Sequence, residues 1–508
     1  MKKKVLSVML SVAMVATLLA GCGSTAEPAA PADDAAAEET TDDAAAEEET
    51  TDDAAAEEED AAEESGDDAA ATEDKETMTA KPANGGDQGT INLWSFTNEI
   101  PGMVQKYVED NPDFPYTVES TIIATTNGAY QPALDQALAN GDVDMYAAEE
   151  AFVVKYTQGD MSSFAMPYED LGIDVKGALA EADIAPYTVD VGTNPDGKLV
   201  ALGYQTTGGA LIYRRSIAKE VFGTDDPAEI SKIVGGGSGS FDKFWEAAAT
   251  LKDAGYPIVS SDGDIWNVCK HDPSSKSWID ADGKLQIDDS KLAFMDYAKN
   301  LYDNGWSNKT SAWGDAWFAD MSGTSDANAF CFFGPAWLIN YTIGANCGGE
   351  KVGEGTYGDW AVCESPVGFF WGGTWVMCSA SADDAKKEAI KDLIYWITLD
   401  STEDGLQYKW ANGTLNGEGG TKDTVASGTV MGKSDGSLDF LGGQNMFDVF
   451  IPANKFAKGD NMTQYDETIN NAFTDQVSQY AAGEKDKDAA IADFKDKVST
   501  ELGIEVAE

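Results

Sequence analysis

Thirteen tryptophans stand in this 508-residue chain, and nine fall between residues 266 and 375: Trp266, Trp278, Trp306, Trp313, Trp317, Trp337, Trp360, Trp371 and Trp375. An indole offers a broad apolar face and a single N–H donor. A sugar ring is apolar on one face and hydroxylated at its rim, so it suits an indole face with carboxylates, amides and hydroxyls around it. Ligand clefts in general are mostly apolar with a few aimed polar groups. The competing reading of any one tryptophan is core packing. The stretch GFFWGGTWVM, residues 368–377, poses the choice most sharply, because Trp371 and Trp375 flank Gly372, Gly373 and Thr374. Its expected division is Phe369 and Phe370 arriving on a crossing segment, a cleft-facing turn from Trp371 through Gly373 to Trp375, and a return to core at Val376.

Other candidates follow from position. Trp94 and Phe96 end the first strand pattern, where open α/β sheets place ligands. Glu149 follows the strand-like DVDMYAA and could accept hydroxyls. Its neighbour Glu150 makes a poor catalytic partner, because adjacent residues on an extended strand point oppositely. Tyr204 and Gln205 close another strand pattern, and Trp266 follows the turn SDGD. Trp313 and Trp317, four apart, would share a helical face. Trp337 follows Gly334-Pro335, a helix start, and Trp410 lies in YKWANG.

Catalytic and metal motifs are wanting. The one histidine, His271, sits in a polar stretch and reads as a solvated loop residue. GGGSGS at 235–240 lacks the second glycine of a nucleophile elbow. MGKS at 431–434 lacks the leading glycine of a phosphate loop. DADGKLQID at 280–288 has its glycine two places too early for a calcium loop and reads as a hairpin turn. Beyond Cys22, five cysteines with no C-x-x-C spacing argue against a zinc site; one disulfide or buried thiols both remain open. No cofactor or metal site is expected.

These residues need elements to position them. GTINLWSF, DVDMYAA, KLVALGY and GALIYRR read as strands. PALDQALANG reads as a helix burying Leu134, Ala137 and Leu138 and stopped by Gly141. SFDKFWEAAATLKDAG and DKDAAIADFKDKV are amphipathic helices, as is ASADDAKKEAIKDLIYWIT, for which Ser381 is the expected cap. Strands alternating with helices imply an α/β chain with substantially parallel sheets.

The net charge is −55. Residues 23–80 hold 23 acidic residues and one lysine, and the chain beyond them still carries −36. Nucleic acid is thereby excluded as a partner, since phosphate contact needs a basic face. The N-terminus has Lys2, Lys3 and Lys4, an apolar run, then Leu-Ala-Gly-Cys at 19–22, the pattern of an export signal. TTDDAAAEEE occurs at 40–49 and again at 50–59. That tract cannot bury enough apolar surface to fold alone, so residues 23–88 read as a tether, roughly 220 Å when taut at ~3.3–3.6 Å per residue.

In serial order, INLWSFTNE, DVDMYAAEE, GKLVALGYQTTGGALIYRR, FDKFWEAAATLKDAG, DAWFADM, FFGPAWLINY and VGFFWGGTWVM behind a lipobox resemble the extracellular solute-binding lipoproteins of ABC importers, in the carbohydrate-binding, maltose-binding-protein-like cluster. The resemblance spans residues 89–500. It implies a two-lobed α/β fold with crossing segments near 203–212, 368–376 and 440–452 and ligand in the cleft between lobes. The implied domains are a signal peptide at 1–21, lipidated Cys22 with its tether at 22–88, a first lobe from 89–205 and 376–440, and a second from 206–375 and 441–508. The implied function is capture of a carbohydrate, an oligosaccharide, for an ABC permease, by a monomer lipid-anchored on the outer face of the cytoplasmic membrane of a Gram-positive cell. Two rivals are a secreted glycoside hydrolase, which needs two carboxyls at a set separation, and a binder of a cation such as a polyamine, suggested by the acidity.

Overall fold

The computed structural model describes residues 75–125, 128–417 and 419–507. The lipobox cysteine and most of the acidic tract lie outside them. Two sheets organise the described chain. The first is six-stranded, in the order β1 (Glu76–Ala80), β3 (Thr117–Ile122), β2 (Thr90–Ser95), β4 (Met145–Glu149), β9 (Thr374–Cys378), β5 (Ala201–Gly203). The second has β6 (Ala210–Arg214) between β7 (Cys331–Gly334) and β8 (Trp360–Cys363).

Each sheet is covered on both faces. Ile91, Leu93, Val118, Met145 and Val376 lie in the core around the first sheet. A second core, with Leu211, Phe244, Phe294, Phe333 and Phe473, fills one side of the second sheet. A third, with Ile212, Phe332, Trp360, Val430 and Phe447, fills the other. Burial on both faces explains why β6 and β9 are apolar runs without alternation.

Several expectations need correction. The sheets are not substantially parallel: only β2–β3 and β2–β4 pair that way, and the second sheet is antiparallel among its three strands. Residues 76–80 were expected in the tether but pair antiparallel with β3. The segment pairs with the edge of β3, so backbone hydrogen bonding outweighs the composition of the tract before it. The helix expected to start at Ser381 begins at Lys387, after a turn in which Asp383 accepts the Ala385 N–H at 2.9 Å. The helix Tyr130–Asn140 buries Leu134, Ala137 and Leu138 as expected, while Asp242–Asp253 and Lys487–Leu502 each bury one face and leave Trp245 and Ile491 half-buried.

The chain passes between the sheets along 204–209 and again along 364–373. These segments bond to each other: the Gly209 N–H donates to Phe369 O at 2.9 Å and the Trp371 N–H to Thr207 O at 3.0 Å. Residues 423–426 lie alongside, with the Ala426 N–H on Tyr204 O and the Thr424 hydroxyl on Thr206 O. The helix Phe447–Phe456 closes the bundle through Asn454, which accepts from Gly208 N–H at 3.1 Å and donates to the Thr206 hydroxyl at 2.9 Å.

Glycine is required where the segments touch. A Cβ on Gly209 would sit 1.9 Å from the ring of Phe369, which is fully buried and has nowhere to move. Gly209→Ala is expected to lower the unfolding free energy by about 1–3 kcal/mol. Gly102, in the helix Glu99–Asp110, has open space around it. Gly102→Ala should instead stabilise by about 0.5–1 kcal/mol. Urea unfolding of the two variants checks both signs.

Candidate ligand-binding site

Four tryptophans meet beside the crossing. Trp337 and Trp371 are edge to face with centroids 4.8 Å apart, and the Trp337 indole donates to Trp371 O at 3.1 Å. Trp313 lies parallel to Trp337 at 6.2 Å and 6.1 Å from Trp371. Trp317 supports Trp313 from below at 5.4 Å. Trp317 is 1% exposed and donates to Asp264 Oδ1 at 3.2 Å. Trp313 and Trp371 remain partly exposed, so they are the two that can offer a face.

Trp313 is held in the left-handed region, with φ of 68°. A bulky L-residue there costs on the order of 1–2 kcal/mol, and such strain gathers at functional sites. The helical face expected for Trp313 and Trp317 is therefore not what joins them, because the helix starts only at Asp315. A strained turn does.

Glu149 closes the cluster from the first sheet. A Cβ on Gly372 would lie 3.4 Å from Trp337 Nε1 and 3.6 Å from Glu149 Oε1, so bare backbone lets the crossing run between them. Gly372 and Gly373 both need glycine, with φ of 72° and 115°. Burial, reinforced by the neighbouring Glu150 charge, pushes Glu149 up to about 8. Glu150 goes the other way: Lys270 and His271 outweigh its burial and hold it well below the usual carboxylate range.

His271 is not a solvated loop residue. It is 3% exposed, bonds Glu150 Oε1 at 2.6 Å through Nε2, and stacks on Phe370 at 4.2 Å. Tyr187 covers the other part of that ring at 4.5 Å. Lys270 reaches Glu150 at 3.3 Å, and the Gly372 N–H donates to the same carboxylate at 3.3 Å. Glu150, at the end of β4, thus ties the first sheet to the segment after the helix Asp262–Cys269. Sequence reading missed this clamp, because nothing local marks a histidine whose partner lies 121 residues away.

The remaining candidates divide. Trp375 faces no cleft: it is 1% exposed and its indole donates to Thr188 O at 3.1 Å. Strand β9 begins at Thr374, so alternation turns Trp375 into the first core. Trp266 is 7% exposed and packs on Phe294 and Phe473 in the second core. Phe96 packs on Tyr130 and Phe152. Trp94 is partly buried with the Lys75 ammonium over its ring at 5.4 Å. Tyr204 is fully buried and donates to Glu99, Gln205 faces Asp423, and partly buried Trp410 meets Tyr204 at 5.5 Å. The five described cysteines are buried free thiols.

The sequence profile of the bacterial extracellular solute-binding proteins matches residues 102–430. The chain belongs to that family. Solved structures of similar fold include an extracellular solute-binding protein of family 1, 18% identical, covering 81% of this chain and 99% of its own, with a TM-score of 0.63. The galacto-N-biose/lacto-N-biose I-binding protein of Bifidobacterium longum is 15% identical, covering 82% and 98%, with a TM-score of 0.59. The sugar-binding protein MalE of Xanthomonas citri is 15% identical, covering 82% and 97%, with a TM-score of 0.59. No curated protein matches the chain. This solute-binding protein has the two-lobed α/β fold of those neighbours, with its tryptophan cluster at the crossing between sheets.

Its carboxyls set a pH dependence. Glu149 is raised to about 8, Glu99 and Asp264 to about 7. An acid raised in the native state contributes stability that is full below its unfolded pKa, about 4.3 for Glu, and lost as pH rises through the native value. His271, lowered by burial, acts oppositely, but only below about pH 6.5. The ligand-free protein should therefore lose stability between about pH 6.5 and 8, and Glu149→Gln should flatten that slope. Urea midpoints across this interval test it; a midpoint that rises contradicts the account.

Proposed function

We propose that this protein is the capture component of an ABC importer and that its ligand is a carbohydrate, an oligosaccharide. The observation that carries the reading is the pair of partly exposed indoles, Trp313 and Trp371, set beside the Glu149 carboxyl at the crossing between sheets. Indole faces take the apolar side of a sugar ring, and Glu149 accepts its hydroxyls. Three of the similar folds, from Bifidobacterium longum, Bifidobacterium animalis and Arthrobacter globiformis, carry names that record sugar binding, which supports the same ligand class. Ligand bridging the lobes would favour a closed state that docks on the permease. Lobe boundaries near 205 and 375, a monomer, and lipid anchoring through Cys22 at the outer face of the cytoplasmic membrane of a Gram-positive cell complete the proposal.

Hydrolysis is disfavoured on electrostatic grounds. The carboxylate next to Glu149 is already held by Lys270, His271 and the Gly372 N–H, so it is not free to act as a nucleophile.

A thermal-shift screen against oligosaccharides tests the reading, since ligand raises the melting temperature. Trp371→Ala and Trp313→Ala should each weaken binding at least tenfold, about 1.4 kcal/mol, with the fold intact. Trp375→Ala should instead cost about 3–5 kcal/mol of stability. Normal binding by the first two variants, or shortened products after incubation, refutes the proposal.

A further inference from the structure

A second group of buried polar side chains gathers one turn beyond Trp337. Glu99 opens the helix Glu99–Asp110 behind β2, and Tyr204 donates its hydroxyl to it. Asp423 comes from the segment beside 204–206, and its charge acts on both Glu99 and Tyr204. Asn340 and Tyr341 approach from Leu338–Ile343, a π-helical stretch of the kind that recurs at functional sites. The group therefore draws on the first sheet, the crossing and the elements around the second sheet.

Its chemistry is incomplete. Asp423 is fully buried, yet its Oδ2 has no hydrogen-bond partner among the described residues; the Thr424 N–H satisfies Oδ1 at 2.6 Å. The Asn340 and Gln205 amides approach the carboxylate without closing a bond on Oδ2. The Trp410 indole N–H, beside Tyr204, is also buried without an acceptor. No ion pair neutralises Glu99 or Asp423 among the described residues, and burial raises both, to about 7 and about 6. Buried carboxyls are costly unless paired, and native structures leave few such groups open.

A partner that brings a positive charge would ionise these carboxyls and be held by them, and one that brings an acceptor would take the indole N–H. A neutral hydroxyl satisfies Oδ2 but gains nothing from a carboxylate charge. A bare metal ion would face an N–H donor and too few oxygens. An amine carried on a sugar ring brings both, because its ammonium stands next to hydroxyl and ring oxygens. We propose that the saccharide taken by this site bears an ammonium group, held by Asp423 and Glu99, with a neighbouring sugar oxygen on the Trp410 indole and ring faces on Trp313 and Trp371. This rests on the saccharide reading above.

The test is calorimetric titration of the full protein at about pH 6 with gluco-configured disaccharides of several linkages. Each is supplied in three forms: 2-amino-2-deoxy, its N-acetyl derivative, and the plain hydroxyl sugar. The amine form should bind at least tenfold more tightly than the other two. Repeating the titration in buffers of different ionisation enthalpy should reveal proton release for the amine form alone, as its charge drives the proton off the raised carboxyls. Asp423→Asn and Glu99→Gln should erase the preference. Equal affinity of the three forms, or a preference that survives both substitutions, overturns the inference while leaving the saccharide reading standing. Absence of binding by every saccharide overturns the reading itself, and this inference with it.

Discussion

The backbone contact between residues 207–209 and 369–372 is the constraint on which the structure depends. Two segments leave one sheet for the other and bond together as they pass. Four glycines permit this. Gly208 and Gly209 admit Asn454 and Phe369 at distances that a side chain would forbid, while Gly372 and Gly373 supply positive φ. A hinge built this way has little side-chain bulk at its axis. The bulk is displaced to either side, as the Tyr187–Phe370–His271 stack on one side and the tryptophan cluster on the other.

The same close approach organises the charges. At Gly372, whose positive φ turns the chain, the N–H reaches Glu150 and the backbone passes between Trp337 and Glu149. Two adjacent glutamates then acquire opposite characters. Glu150 is a charged structural tie, satisfied by the Lys270 ammonium, the His271 ring and a backbone donor. Glu149, to which the Ala151 N–H at 2.9 Å is the one hydrogen-bond donor among the described residues, keeps capacity for another. An uncompensated carboxyl of this kind weakens the ligand-free protein and rewards whatever binds it.

Much of this was legible in sequence. Hydrophobic periodicity marked the helices that pack on the sheets, and the serial order of short motifs carried the family and the crossings at 204–209 and 364–373; the third, expected near 440–452, has residues 423–426 beside the other two instead. Trp371 was singled out because it flanks two glycines, Trp337 because it follows Gly-Pro, and Trp313 for a helical spacing to Trp317 that the fold replaces with a turn. Local reasoning failed where partners are distant. Trp375 and Trp266 look like their neighbours in sequence, and only strand register and helix packing turn them inward. His271 looked solvated because its neighbours are polar; its carboxylate comes from the other sheet. Glu99 and Asp423 are invisible for the same reason, as each is an ordinary acid until folding removes water from both. Residues 76–80 were assigned by composition to the tract before them, whereas pairing with β3 decides their state.

Two surface pockets, of about 390 and 440 Å³, lie away from the crossing, one lined by Tyr107, Tyr395 and Trp396 and the other by Lys106, Asp110 and Lys409. They offer a clear alternative location for a ligand. A crystal structure of the protein with the oligosaccharide that most raises its melting temperature tests the central claim most directly. The account predicts a sugar ring against the faces of Trp313 and Trp371 with a hydroxyl on Glu149. A saccharide seated against Tyr107 and Trp396, with the tryptophans at the crossing untouched, would contradict it.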